Sequence, residues 1–411
     1  MASSTGEPRR ILLADADAFY VAVARMVDPE GVGKEPLLIV GGSRESRGVV
    51  CSASYETRKF GVRSAMPISR ALRLCPQAVC VPIPRRACAI KSGEIRAVLQ
   101  RWAPVVEGAS IDEWYLDLGG TEALYRGESL SDTARRIRGD VREETALSVS
   151  FGGGTTKLIA KLAVERAKPK PDNDATGVYV VAPGAEPDFM SGIVLADIPL
   201  IGPKFQERLA RLGMRSVPDV LQHDVASLRY WLGDRLADWL YERAQGIDGS
   251  RVESSLEAKS LSRDETFARD IEDDDELERE LLVLVVHAAH DLRIEGLAAR
   301  TIAVRIRDAD FRDRRAARTL GESVISDRVI FAVARSLLRK LRSARRVPAR
   351  LLSVALTSLS MRTEADQLVL FELPGSSMSE TERDRTIART VDELRARFGD
   401  DAILPGRVSG M

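Results

Sequence analysis

An unbroken apolar run, Ile11-Leu12-Leu13-Ala14, ends in the acidic triplet Asp15-Ala16-Asp17. A short continuous run of this kind reads as a central strand, with residues 19–26 starting a helix behind it. Residues 37–40 and 49–52 are two β-rich runs around the turn Gly41-Gly42. Helical periodicity returns over residues 87–101 and leads into Val105-Val106-Glu107-Gly108-Ala109, a strand with a turn glycine. Ser110-Ile111-Asp112-Glu113-Trp114-Tyr115-Leu116-Asp117-Leu118 then alternates apolar and polar. Neighbouring side chains on a strand point to opposite faces, so Asp112 and Glu113 converge only at a turn or bulge where the hairpin enters its second strand. An amphipathic helix (132–144), a strand (147–151) before Gly152-Gly153-Gly154, a helix (157–166) stopped by Lys168-Pro169-Lys170-Pro171 and a strand (178–181) follow. This order predicts an α+β sheet with helices on one face.

Beyond residue 181 the pattern turns helical, at 188–192, 206–213, 217–222 and 227–244. Inside it, Ile198-Pro199-Leu200-Ile201-Gly202-Pro203-Lys204 is a tight turn whose glycine opens a helix, and exposed amides at such a start suit backbone phosphates. Residues 247–257 read as a linker. A second unit then runs strand 260–267, helix 275–295, strands 300–307 and 316–320, helix 326–343, strand 350–359. This β-α-β-β-α-β order predicts a small sheet backed by two helices. The tail carries a short apolar plug, Gln367-Leu368-Val369-Leu370-Phe371, suited to docking in extended form, then a helix over 386–398 and a loose end.

Composition narrows the chemistry. A chain of 411 residues with 44% hydrophobic content holds about two to four globular domains, without a membrane-length apolar run or a signal-peptide pattern. A cytoplasmic protein is the expectation. Lysine and arginine total 61 and so do the acids, so any nucleic-acid binding must come from local charge. Residues 300–350 supply it, with fifteen basic residues against five acids. Arg305 and Arg307 alternate on one strand, with Arg315 and Arg318 on the next, and such a face suits phosphate contacts that do not read sequence. Cys51, Cys75, Cys80 and Cys88 fit no zinc spacing and read as buried thiols. His287 and His290 lack a third ligand and read as ordinary helix residues.

The acids are the candidate chemistry. Either pair alone fits a solvated turn. Strand-end carboxylates gathered from separate segments are hard oxygen ligands suited to Mg²⁺. The cluster from Tyr55 to Pro67, basic and carrying two aromatics, suits a polyphosphate with a base and a sugar, though a charge run is also what a solvated loop looks like.

Taken together these motifs resemble a Y-family translesion DNA polymerase of the DinB type. The resemblance runs from about residue 11 to 371 and rests on Asp15-Ala16-Asp17-Ala18-Phe19-Tyr20, the stretch from Tyr55 to Pro67, the stretch from Ser110 to Asp117, the helix from Lys157 ending at Pro169, and the turn from Ile198 to Lys204. It implies an α+β right-hand architecture: palm (1–19 and 85–175), small fingers (20–84), helical thumb (176–245) with a helix-hairpin-helix, linker (246–257), a separate α/β little finger (258–362) and a C-terminal tail (363–411). It implies metal binding by Asp15, Asp112, Glu113 and the Ala16 carbonyl, two Mg²⁺ ions about 3.5–4 Å apart and in-line attack of a primer 3′-hydroxyl on a deoxynucleoside triphosphate. Asp17 reads as structural.

By the same resemblance Tyr20 is a steric gate against the 2′-hydroxyl, with Phe19 packed beside it. Ser52 lines the nucleotide pocket, and Tyr55, Arg58 and Lys168 form a triphosphate clamp. Gly202, Lys204, Arg305, Arg307, Arg315 and Arg318 would hold primer–template DNA. Gln367, Leu368, Leu370 and Phe371 would bind a sliding clamp, and the enzyme would be a monomer of low fidelity without proofreading. Two departures stand out: Thr156 where the family often has asparagine, and Cys88 where it often has tyrosine. Rival readings are a catalytically inactive, clamp-bound scaffold paralogue and a nucleotidyl cyclase. The first should have lost the acids, and the second gives no reason for the second α/β unit.

Overall fold

The computed structural model describes residues 8–43, 47–169, 175–254, 258–361, 380–399, 402–403 and 406. The chain divides into two compact units that part near residue 256.

The first unit begins β1 (Ile11–Ala16), α1 (Phe19–Val27), β2 (Leu38–Gly41), β3 (Val50–Ala53), α2 (Tyr55–Arg58), α3 (Ile68–Leu74) and β4 (Val79–Val81). It continues α4 (Arg85–Trp102), β5 (Val105–Gly108), β6 (Glu113–Asp117), α5 (Leu130–Thr145), β7 (Val149–Gly154), α6 (Lys157–Ala167) and β8 (Val178–Val180). The main sheet has the order β5-β6-β1-β7-β8, and a small sheet has the order β3-β2-β4.

All six residues of β1 are buried, which is what an uninterrupted apolar strand at a sheet centre requires. Leu12 and Ala14, with Trp114, Leu116 and Phe151, pack against Ile95, Val98 and Leu99 of α4 and Ile137 and Val141 of α5. Each such side chain contributes about 1.5–3 kcal/mol by leaving water. The alternate residues Ile11 and Leu13 pack on Ala160 and Val164 of α6, and on Val252. Helices therefore cover both faces, not the one face expected. The cause is local: a Cβ on Gly152 would lie 2.1 Å from the Ala160 carbonyl oxygen and 2.2 Å from the Val164 nitrogen. Only glycine lets α6 lie so close to β7.

Residues 246–253 are less of a linker than their composition predicts. Thr156 donates to the Gly246 carbonyl at 3.2 Å, Arg9 to the Ser250 carbonyl at 3.0 Å, and Val252 is buried in the α6-side core. Between β8 and this strap lie α7 (Glu186–Ser191), α8 (Pro203–Arg211), α9 (Val217–Leu221), α10 (Val225–Leu232) and α11 (Asp234–Ala244). They share a core that includes Leu209, Val217, Val220, Leu228 and Leu240. The sequence reading missed α3 and β4, whose apolar positions are too few for a period to show.

The second unit is β9 (Ser260–Ile271), α12 (Asp274–Ile294), β10 (Leu297–Asp308), β11 (Asp313–Val324), α13 (Asp327–Ala344), β12 (Ala349–Met361) and α14 (Glu382–Phe398). Its antiparallel sheet has the order β11-β10-β12-β9, and both α12 and α13 pack on the face bearing Ile302, Val304 and Ile306. The expected order and the one-sided backing are both found. The tail helix starts earlier than predicted, behind a capping box of Thr381 and Asp384.

Two of the four cysteines, Cys75 and Cys88, are buried, whereas Cys51 and Cys80 are only half-buried. Among the described residues no three histidine, cysteine or acidic groups stand ready to hold a metal, and no helix is long and apolar enough to cross a membrane.

Candidate active site

The sheet register settles which acids meet. Asp15 at the end of β1 is directly opposite Glu113, the first residue of β6. Asp112 closes the hairpin loop, where the Ala109 amide donates to the Glu113 carbonyl at 2.9 Å, and its own carbonyl accepts from the Ala16 amide at 2.9 Å. Directly opposed antiparallel residues share a face, so Asp15 and Glu113 point to the side covered by α6. Asp15 and the Asp112–Glu113 pair, nearly a hundred residues apart in sequence, are thus carried by adjoining strand ends.

Their charges are balanced from α6 and its end. Asp15 is only 6% exposed and receives the Lys168 ammonium at 2.8 Å, while Lys168 also reaches Glu165 at 2.6 Å. Glu113 is paired with Lys161, and the Asp112 carboxylate accepts the Ser110 hydroxyl. Burial pushes Asp15 up to about 7 against the pull of Lys168, with Glu113 pushing the same way as burial. Burial would lower Lys168, but Asp15 and Glu165 outweigh it and hold the ammonium above its ordinary range. The two partners point opposite ways, one towards a neutral acid and one towards an ion pair. The 2.8 Å contact to a charged lysine favours the ion pair. Asp17 is taken up by β7: the Ser148 and Ser150 hydroxyls each donate to it at 2.8 Å, tying the end of β1 to that strand.

Ala18 has φ 46° and ψ 43°, a left-handed conformation that costs a non-glycine residue on the order of 1 kcal/mol. This turn starts α1 and sets Phe19 in the core, edge-on to Tyr20 at 5.7 Å. The Tyr20 phenol is pushed up by burial first, then by the charge of Asp112, and Arg85 pulls the other way. Arg58 lies over the Tyr55 ring at 4.9 Å and donates to the Ala53 carbonyl at 3.0 Å. The Tyr55 phenol is raised by burial first, with Asp17, Arg58, Lys168 and Asp15 acting on it. Ser52 is buried in β3 opposite Val40. A cavity of about 330 Å³ opens beside Tyr55, lined by Asp17, Val21, Arg25, Ser54 and Ser148, but by none of the three acids.

The impB/mucB/samB family matches residues 14–165, and its C-terminal domain matches residues 258–370. DNA polymerase IV of Dehalococcoides mccartyi is 33% identical over 97% of each chain, and that of Halorhodospira halophila 37% identical over 88% of this chain and 98% of its own. A Y-family DNA polymerase chimera superimposes with a TM-score of 0.75 at 26% identity, over 86% of this chain and 100% of its own. DinB from Sulfolobus solfataricus gives 0.56 at 27%, over 85% and 98%. The chain belongs to the DinB-type Y-family polymerases. It is a DNA-directed DNA polymerase of the translesion class, with the right-hand architecture of palm, fingers, thumb and little finger.

In this polymerase Gly202 precedes α8, Pro203 takes its first position, and Gly202 and Lys204 are both exposed. The neighbouring Leu200 has φ 72° and is 85% exposed, so the hairpin tip is strained and open. On the helix-free face of the second unit's sheet, Arg305 is opposite Arg315 and Arg307 is opposite Asp313. Ser353, Ala355 and Thr357 of β12 and Ser262 of β9 continue that face with small side chains. Arg318 does not join it. It is opposite the buried Ile302 and so projects to the helix side of an edge strand. Counting basic residues could not see this parity.

Nor could the count foresee how many arginines are engaged. Arg307 forks onto Asp313 through two 2.8 Å bonds, and Arg305 reaches Asp264 at 3.0 Å. Gln367, Leu368, Leu370 and Phe371 lie outside the described residues. The sequence reading also missed Lys161, Ala18 and Arg85. The spacing of Lys157 and Lys161, one helical turn apart and eleven and seven residues before Lys168, was the available signal.

Proposed function

We propose that this polymerase extends a primer 3′-hydroxyl with deoxynucleoside triphosphates across damaged template bases, by phosphoryl transfer assisted by two Mg²⁺ ions. The observation that carries the reading is the Asp15–Glu113 register, with Asp112 joined to Ala16 through the backbone. The donor set fits: three carboxylates and the Ala16 carbonyl are hard oxygens, and a nearly buried Asp15 beside a second acid requires a counter-cation. Lysines meet that requirement here, so the carboxylates must exchange partners. Divalent ions so held would activate the hydroxyl and neutralise the triphosphate.

The chain's own groups do the rest by positioning. Tyr20, held edge-on by Phe19, closes the space under the sugar and excludes a 2′-hydroxyl. Arg58 and Tyr55, with Lys168 once released from Asp15, hold phosphate oxygens. Ser52 lines the pocket. Gly202 and Lys204, with Arg305, Arg307 and Arg315, contact the backbone of primer–template DNA without reading bases. The domain limits follow the ranges given above. The small fingers support low fidelity without proofreading, and Gln367 to Phe371 would tether a monomer to a sliding clamp.

Primer extension with Mg²⁺, comparing the parent with a variant carrying both Asp112→Asn and Glu113→Gln, tests the reading. Extension by the parent and its loss in the variant are expected. Retained extension would rule out the metal assignment, while a parent that binds DNA without extending it would be the inactive scaffold.

A further inference from the structure

Three lysines of the α6 segment each meet an acid on a different strand. Lys157 meets Glu107 of β5, Lys161 meets Glu113 of β6, and Lys168 meets Asp15 of β1. The pairs are not equivalent. Glu107 is buried and also accepts the Glu253 amide at 2.9 Å, and Lys157 stacks on Tyr115 at 4.5 Å, so this pair is bolted into the sheet. Lys168 divides itself between Asp15 and Glu165. Lys161, by contrast, is the one side chain bonded to Glu113 among the described residues, and both ends of that pair are partly open to solvent.

An ammonium on a flexible stem is a single point charge that another cation can replace, unlike a forked guanidinium. We propose that Lys161 is a positioning residue for Glu113, an internal counter-ion that keeps the carboxylate at the end of β6 and surrenders it to the entering divalent cation. Lys161 thereby tunes how tightly the site takes metal. This rests on the metal reading of Asp15, Asp112 and Glu113 given above.

The test is Mn²⁺ binding to the full-length protein without DNA or nucleotide, followed by the electron paramagnetic resonance of free Mn²⁺. Removing a partly exposed competitor should lower the half-saturating concentration roughly two- to tenfold in Lys161→Met. Lys161→Arg, whose fork holds a carboxylate harder, should raise it. A merely structural lysine would move both variants the same way, and that result, or unchanged binding in Lys161→Met, overturns the proposal. If Lys161→Met fails to fold by circular dichroism, Lys161→Gln is read with the same criterion. The variant with Asp112→Asn and Glu113→Gln separates the two ideas. Its loss of Mn²⁺ while Lys161→Met binds like the parent sinks only the lysine's role; parental binding by that variant sinks the metal reading and the lysine with it.

Discussion

The end of the palm sheet and the second unit neutralise their acids with different cations. At the end of the palm sheet the partners are lysines, 157, 161 and 168. In the second unit they are arginines. Arg293, only 4% exposed, joins Asp327 and Asp392; Arg314 and Arg345 meet the fully buried Asp308; Arg335 and Arg339 share Glu278; Arg342 takes Asp274. A guanidinium spreads its donors over two acids and locks them, whereas an ammonium holds one point and can be exchanged. The comparison separates charge that builds a scaffold from charge that waits for a ligand. It also shows why the basic count over residues 300–350 overstates the DNA surface: much of that charge is spent inside the unit.

The sharpest way to break the contrast is Asp15→Asn. If this acid serves metal, primer extension should fall roughly 10³-fold or more, an effect comparable with losing a central electrostatic group. Thermal melting should not fall with it, because burial already disfavours the Asp15 charge. A large drop in melting temperature with extension intact would make Asp15 a scaffold acid like those of the second unit.

Arg293→Met is the converse. It removes a buried guanidinium and strands two partly buried acids, Asp327 and Asp392, and should destabilise the second unit by about 3–5 kcal/mol in denaturant titration. A loss no larger than that of an exposed pair would erase the distinction drawn here.

Tyr20→Ala sharpens the functional side. Removing the ring should raise incorporation of ribonucleotides relative to deoxynucleotides about 10–200-fold, measured as the ratio of kcat/KM values, the range a shape-based pocket provides. An unchanged ratio would exclude Tyr20 as the gate.

The smallest effect concerns α14. Its Asp384 is held well below the usual carboxylate range by hydrogen bonding to Arg328. Burial opposes the same shift at Asp392, but Arg293 and His290 prevail and lower it too. A depressed acid contributes stability above its unfolded value, about 3.9, and that contribution disappears as pH falls through the folded value. Hydrogen exchange over residues 382–398 should therefore show α14 protected at neutral pH and progressively released below about pH 4. Uniform protection down to pH 2 would contradict ionic docking.

Much was legible from the pattern. The apolar run of β1, the alternation of β6 and the two long helices of the second unit each carry a period long enough to read, and their positions are those expected. The acids stood out only in combination, since Asp15 and the Asp112–Glu113 pair lie on separate segments, and their being opposite one another comes from the sheet register. The elements missed were short: β4 has three residues and α3 has seven, below the length at which periodicity distinguishes anything. Arg318 was misplaced for a different reason. Arg315 and Arg318 stand three positions apart on one uninterrupted stretch of strand, so alternation sends them to opposite faces, which a count of basic residues ignores.

The sequence by itself determined which side chains exist at the strand ends, which segments are helical or extended, and hence the family. Only the tertiary structure decided that α6 would cover the second face of the palm sheet. That choice depends on contacts between Gly152 and the backbone of α6, a steric fit between segments that no local period encodes. It also decided which cation stands beside each acid, because pairing follows from proximity in space and the lysines come from α6 and its end, the helix packed on the face to which these acids point.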